Sequence, residues 1–245
     1  KLGPLARTAD DCGLVLDVLA GSDRLDPSTS DRPFRYESGP PPGFFRFAVL
    51  REVTEGCEEA VAANFHASLD VLRQIGTVET MELSDLPYEL IARTILQAEA
   101  ASAFEDLIES GQIRSLTAPE DRVIPYARDA ILAKDYIKAL RLRGIVAREI
   151  DSALSRVDLL VAPGRSSVAS PIDQEFRSVI TVARDPMGAI GNLAGLPAIG
   201  VPNGIDSRGL PTSLQFMARA WAENLAIAGA HAFQQRTDWH QRHPA

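Results

Sequence analysis

The first apolar pattern along the chain has helical spacing. Four residues share one face of such a helix before the sequence reaches Gly21: Cys12, Val15, Leu16 and Leu19. Thr8 has the hydroxyl of an N-cap, and the acids Asp10 and Asp11 suit the positive end of a helix dipole. The pattern therefore predicts an amphipathic helix between Thr8 and Gly21.

A strand, a helix and a second strand are predicted next. Phe45–Leu50 is a short run with high β propensity. The segment after it places four apolar residues on one helical face and stops at Gly76: Val61, Phe65, Leu69 and Leu72. Residues 78–83 then indicate a short strand. This order predicts a crossover unit, in which a helix connects two strands.

The middle of the chain is predicted to be rich in helix. Two helical stretches cover residues 87–110 and 129–154, and Pro119 and Pro125 break the chain between them. Residues 157–162 then form a largely apolar run. Such a run is expected of a strand that is covered on both faces, so this strand belongs at the centre of a sheet.

The last third of the chain predicts a hairpin and a helix. Two β-prone pieces within residues 192–217 flank the turn-forming Asp-Ser-Arg-Gly at 206–209, so we expect an antiparallel pair. A final helix is predicted over residues 223–236. Residues 26–43 are rich in Pro, Gly and polar side chains and predict a surface excursion with little to bury. The elements together predict an α/β fold with a mixed β-sheet covered by helices.

Composition narrows the class of protein. A chain of 245 residues with 45% hydrophobic residues is long enough to bury a sizeable core. Its net charge of -8 opposes binding to nucleic acid, which relies on clustered Lys and Arg. No apolar run approaches the roughly 18 residues that a membrane helix requires, and the first residues do not resemble a secretory signal. We therefore expect a cytoplasmic protein that binds neither nucleic acid nor membrane.

Metal-ligand patterns are not found in the sequence. The two cysteines, Cys12 and Cys57, are too few for a disulfide framework or a thiolate metal site. The four histidines form no metal-binding motif and no Ser-His-Asp arrangement with a G-x-S-x-G element. We therefore predict no metal and no cofactor.

Three segments, in order, resemble the amidase-signature family, which includes bacterial amidases and the A subunit of tRNA-dependent amidotransferases. Residues 3–11, GPLARTADD, are similar to the family's G-P-L-A-R-T-x-x-D element. Residues 158–163, DLLVAP, resemble its buried strand that ends in a proline turn. Residues 192–217 resemble its N-L-A-G-L-P-A-I-x-V-P…G-L-P-x-x-L-Q element. The resemblance runs nearly from end to end and implies that residues 1–245 form the C-terminal part of one amidase-signature domain.

The resemblance also implies a reaction. In this family a serine attacks a carboxylic amide to form an acyl-enzyme, a second serine in a cis peptide relays the proton, and a lysine is the base. Those groups lie upstream of the G-P-L-A-R element, where this chain begins. Among the residues present, Lys134 and Lys138 lie four apart on a polar helical face, which is typical of solvated lysines. We therefore assign no catalytic residue and expect the isolated chain to be inactive.

Three residues are candidates for substrate binding. Ser166 and Ser167 follow the apolar strand, at the strand end where open α/β sheets commonly place ligands. The surrounding sequence is not the glycine-rich loop of the family's catalytic serine, so an ordinary loop is the alternative. Asp185 falls near the aspartate that contacts the glutamine amino group in the amidotransferase branch. Residues 186–191 depart from that branch's T-x-P pattern, and Asp185 before a proline also suits a helix cap.

Three functions remain open from the sequence. The first is the C-terminal portion of a serine amidase that acts on a small amide. The second is the A subunit of a tRNA-dependent amidotransferase, which would require B and C subunits. The third is a non-catalytic binding or assembly module from a truncated gene. Uncovered sheet edges and apolar faces would favour self-association as a homo-oligomer.

Overall fold

The structure is a computed structural model that describes residues 3–26, 28–39, 43–117, 130–173 and 187–242. Within these residues there are five strands: β1 Phe45–Leu50, β2 Gly76–Met81, β3 Leu159–Pro163, β4 Ala198–Ile205 and β5 Pro211–Met217. The α-helices are α1 Ala9–Leu19, α2 Glu59–Leu72, α3 Tyr88–Ala103, α4 Glu105–Glu109, α5 Ala133–Leu154, α6 Gly188–Ala194 and α7 Glu223–Gln234. The described residues also include short 3-10 helices at Gln112–Ser115 and Trp239–Gln241.

The strands form one mixed sheet in the order β2-β1-β3-β5-β4. β1 pairs in parallel with both β2 and β3, whereas β5 pairs antiparallel with both β3 and β4. The sequence-based α/β class, the crossover unit and the C-terminal hairpin are confirmed. β3 has the central place that its apolar sequence predicts, and all five of its residues are buried.

The core is built around aromatic rings that the sheet and α7 bring together. Phe216 of β5 lies 6.3 Å from Phe47 of β1 and 6.2 Å from Phe233 of α7, measured between ring centroids. All three side chains are fully buried. Burying one such ring contributes about 2 kcal/mol to folding, so the contact between Phe216 and Phe233 fixes α7 on the sheet.

Helix α2 has the predicted buried face and an additional polar contact. Its four predicted apolar residues are all buried. Beside them, Ser68 accepts a hydrogen bond from Asn203 Nδ2 at 3.0 Å, and Thr212 donates to Asn203 Oδ1 at 2.7 Å. Asn64 Nδ2 donates to Thr212 Oγ1 at 3.0 Å. These partners satisfy the buried polar groups and attach the hairpin to α2.

The prediction for the buried face of α1 is wrong in part. Val15 and Leu19 are exposed, whereas Ala9 and Gly13 are the buried residues of this helix. The buried side of α1 packs on α7 and on Tyr36, whose ring occupies the space that a Cβ at position 13 would need. Tyr36 also donates a hydrogen bond to Asp10. Part of the predicted surface excursion therefore packs on α1.

Smaller differences concern the ends of elements. β2 lies two residues earlier than predicted. The stretch predicted as one helix over residues 87–110 is divided at Phe104 into α3 and α4. The Thr8 N-cap is confirmed, because Thr8 Oγ1 accepts a hydrogen bond from the Asp11 amide at 3.0 Å. Within the described ranges, no helix combines the length and apolar character needed to cross a membrane.

Candidate functional site

The first candidate site is a cavity of about 590 Å³ between the start of α3 and the start of α6. Its apolar lining consists of Leu86, Pro87, Tyr88, Leu90, Ala189 and Ile190. Two charged residues of α3, Glu89 and Arg93, complete the wall. The volume lies in the range of small-molecule sites, which are roughly 300–1,000 Å³.

A second cavity of about 390 Å³ lies along the same helix, towards α5. Pro87 and Leu90 line both cavities, so the two are neighbours on one surface. The second cavity adds apolar residues from α3, α5 and the segment before α5: Ile91, Ile131, Ala139 and Leu142. Its polar lining is Thr94, Asp135 and Lys138. We call the two cavities together the α3 groove.

Short contacts hold α6 in place as one wall of the groove. Gly195 ends the helix with a φ of 68°, a left-handed conformation that glycine adopts without strain. Arg143 Nε of α5 donates to the Leu193 carbonyl at 3.0 Å. Gly191 packs so closely on Met217 that a Cβ at position 191 would overlap with the methionine methyl group. The segment Asn-Leu-Ala-Gly thus ends a short helix and enters a tight turn.

Tyr88, the first residue of α3, has a partly buried hydroxyl-bearing ring. It donates to the Ser84 carbonyl at 2.8 Å and lies 3.5 Å from Glu149 Oε2. Burial, followed by the Glu149 carboxylate, raises the pKa of Tyr88 to about 12. The phenol is therefore neutral at physiological pH and remains a hydrogen-bond donor.

The loop after β3 is held by hydrogen bonds to α2 and β5. The Glu58 amide donates to the Ser166 carbonyl at 2.8 Å, and Glu58 Oε2 accepts from the Val168 amide at 3.3 Å. The Gly164 amide donates to the Ser213 carbonyl at 2.9 Å. Ser166 is buried and Ser167 is partly exposed, and neither lines the α3 groove. Their substrate role remains a prediction.

The other predicted site residues have separate locations. Asp185 lies outside the described residues. Lys134 forms an exposed ion pair with Asp135 at 2.8 Å, and Lys138 is exposed, as expected for a solvated helical face. Among the described residues, no cluster of three His, Cys, Asp or Glu side chains is arranged to hold a metal ion.

Sequence reasoning did not identify Tyr88, Glu89 or Arg93. The available signal was the position of Pro87 at the start of a helix with two charged residues four apart. That pattern is typical of ordinary exposed helices, because acid and base at this spacing commonly form a surface pair. The groove becomes recognisable only when α6 is seen beside α3.

Comparison with known proteins identifies the family. Residues 1–227 match the sequence profile of the family described as Amidase. The chain therefore belongs to the amidase family, whose signature the three segments resembled.

Individual relatives agree with this assignment. The A subunit of glutamyl-tRNA(Gln) amidotransferase from Methylococcus capsulatus is 30% identical over 274 residues, covering 100% of this chain and 56% of the relative. The crystal structure of the corresponding A subunit from Thermotoga maritima matches with a TM-score of 0.75 and 25% identity over 97% of this chain and 53% of that one. The peptide amidase of Stenotrophomonas maltophilia matches with a TM-score of 0.76 and 27% identity over 99% and 54%. The chain thus spans about half the length of the curated relatives it matches.

Proposed function

We propose that this chain is the C-terminal portion of a serine amidase, which hydrolyses a carboxylic amide through an acyl-enzyme. The observation that carries the proposal is the match to the amidase family over residues 1–227. In the proposed reaction, a serine hydroxyl attacks the amide carbonyl, the C–N bond breaks and the departing amine takes a proton. Water then attacks the acyl ester, which releases the carboxylic acid and the serine. The serines and the lysine base lie outside these 245 residues.

This chain contributes a wall of the substrate pocket in the proposal. The α3 groove supplies the apolar surface, and the ring of Tyr88 is part of that surface. We retain Ser166, Ser167 and Asp185 as proposed substrate contacts. The proposal treats residues 1–245 as one partial amidase-signature domain of a cytoplasmic protein. It requires no cofactor.

Turnover measurements test the proposal. The 245-residue chain and a polypeptide extended to the full length of its amidase relatives are assayed with a panel of small amides. We expect ammonia or amine release only from the extended polypeptide, together with an acyl-enzyme adduct in its mass spectrum. The proposal fails if the 245-residue chain alone turns over an amide and loses that activity in Ser166→Ala or Ser167→Ala. Absence of turnover in both polypeptides would favour a non-catalytic binding or assembly module.

The second candidate is the A subunit of a tRNA-dependent amidotransferase. Curated relatives with this name, such as those of Methylococcus capsulatus and Moorella thermoacetica, are 30% identical to the chain. Residues 186–191 depart from the T-x-P pattern of that branch, which favours a general amidase. Purification of the tagged protein from its native host separates the two. Stoichiometric recovery of B and C subunits would contradict the amidase proposal and identify the protein as an amidotransferase A subunit.

Self-association is proposed for the isolated chain. Helix α1 exposes four large apolar residues: Leu14, Val15, Val18 and Leu19. Contiguous apolar surface of this kind favours association in water. Light scattering is expected to detect dimers or larger species. A monodisperse monomer that melts cooperatively in calorimetry would contradict this proposal.

A further inference from the structure

The α3 groove combines an apolar lining with charged side chains. Pro87 and Leu90 line both cavities, which extend from them along α3. A ligand that occupies the groove therefore meets mainly hydrocarbon, with charged side chains at fixed places along the wall. The position and sign of those charges determine which charged group on a ligand would be favoured.

Cations exceed anions among the groove residues that have no ion pair within the described part of the chain. Asp135 forms an ion pair with Lys134 at 2.8 Å. Arg93, Lys138 and Glu89 have no ion pair with any described residue. The groove therefore holds two cations, Arg93 and Lys138, together with the carboxylate of Glu89 and the paired carboxylate of Asp135. An anionic group is favoured there by charge complementarity.

Arg93 is the side chain best suited to bind that anion. A guanidinium offers a planar pair of N–H donors that matches the two oxygens of a carboxylate. Arg93 lies on the same cavity wall as the apolar residues Leu86 and Ile190. A carboxylate on Arg93 would therefore leave an attached hydrocarbon chain against apolar surface.

We propose that the α3 groove binds the acyl part of the substrate, and that this acyl part is an apolar chain with a carboxylate at its far end. Arg93 is the specificity-determining residue that receives the carboxylate. The inference rests on the proposed amidase function and adds the chemical class of the substrate. Glu89 would instead attract an ammonium group. The test must therefore distinguish a ligand that carries only a carboxylate from a zwitterionic ligand that also carries an ammonium group.

Binding to the 245-residue chain gives the first test. The probes are hexanoate, neutral hexanamide and zwitterionic 6-aminohexanoate, followed by NMR titration. We expect hexanoate to bind about tenfold more tightly than hexanamide, in keeping with a charge-assisted hydrogen bond. Arg93→Gln should abolish this difference, whereas Arg156→Gln, which removes the same charge outside the groove, should preserve it. Glu89→Gln should leave hexanoate binding equal or stronger.

Three results overturn the inference. The first is equal binding of hexanoate and hexanamide, including no binding of either. The second is the same loss of hexanoate binding in Arg156→Gln as in Arg93→Gln. The third is tighter binding of 6-aminohexanoate that is lost in Glu89→Gln, which would identify a zwitterion site.

Turnover by the extended polypeptide gives the second test. The substrates are hexanamide and the monoamide of the six-carbon dicarboxylic acid. We expect the ratio of kcat/KM for the charged and neutral substrates to fall about tenfold in Arg93→Gln, mainly through KM. Hydrolysis of neither amide, together with selective hexanoate binding, would count against the amidase proposal and not against the groove. Hydrolysis with an unchanged ratio would overturn the groove assignment alone.

Discussion

Two regions of the molecule differ in whether their polar side chains bind one another or are exposed to solvent. On the closed side, which comprises α2, the loop after β3 and the β4–β5 hairpin, the buried side chains of Ser68, Asn203 and Thr212 bind one another. In the α3 groove, Glu89 and Arg93 are exposed and have no ion pair among the described residues. The closed side uses its polar groups to hold the fold. The groove keeps its charges available to a ligand.

The largest expected effect is on the closed side, in Asn203→Ala. The substitution removes the acceptor of the Thr212 hydroxyl and the donor to Ser68 Oγ and leaves both groups with only their bonds to Asn64, so the free energy of unfolding should fall by about 2 kcal/mol. Urea unfolding measures it. Asn192→Ala is the control, because among the described residues this exposed side chain bonds to the Gly188 carbonyl of its own helix, at 2.7 Å, and to no other group. An equal loss of unfolding free energy in the two variants would show that the buried polar groups of the closed side stabilise the fold no more than an exposed hydrogen bond does.

Gly164→Ala should have the next largest effect. A Cβ at this position would overlap with Ser213 Oγ, so we expect a loss of about 1–3 kcal/mol from overpacking. Ser213→Ala in the same chain should restore part of the stability. Gly144→Ala provides a control of opposite sign: its nearest neighbour is Arg148 Nη1 at 3.7 Å, and alanine inside a helix stabilises by about 0.5–1 kcal/mol. A neutral Gly164→Ala variant would show that this loop yields easily.

A smaller effect is expected at high pH, at the entrance to the groove. The pKa of Tyr88 is raised to about 12, above the value of about 10 for an unfolded tyrosine. Its stabilising contribution is therefore complete below pH 10 or so and is lost as the pH rises towards 12. Absorbance titration of the phenolate, compared with Tyr88→Phe, measures this pKa. Glu149→Gln should lower the pKa only partly, because burial is the larger cause; no change would exclude the Glu149 contribution.

The smallest effect is expected for the groove charges themselves. Glu89→Gln and Arg93→Gln should each change the free energy of unfolding by less than about 0.5 kcal/mol, as is usual for exposed side chains away from structural contacts. Thermal melting checks this. Arg46→Gln should cost more, because Arg46 pairs with Asp158 at 2.8 Å where β1 meets the start of β3. A large loss in Arg93→Gln would mean that this residue maintains the fold.

The sequence predicts the closed side well because its signals are local and strong. In α2, burial of one face repeats every turn, and β3 is apolar along its whole length. The α1 prediction was less successful, because Val15 and Leu19 are exposed and the buried Gly13 lies against Tyr36, which comes from a segment with no regular pattern. The contact of that ring with Gly13 cannot be inferred from the spacing of apolar residues.

The groove is harder to predict for a related reason. Its walls come from α3, α5 and α6, which are far apart in the chain. Each wall residue looks like part of an ordinary exposed helix until the others are placed beside it. Asp185, the acid that the sequence singled out, precedes the α6 wall but lies outside the described residues.

The order of strands in the sheet has a consequence for synthesis of the chain. β1 and β2 are made early, yet β3, the inner neighbour of β1, follows more than one hundred residues later. Pairing between such distant segments is slow, whereas the adjacent β4 and β5 can form a hairpin rapidly. The nascent chain therefore carries an unpaired β1 edge while α2 to α5 emerge. Such an unpaired edge is a site where the chain can pair wrongly during translation, before β3 covers it.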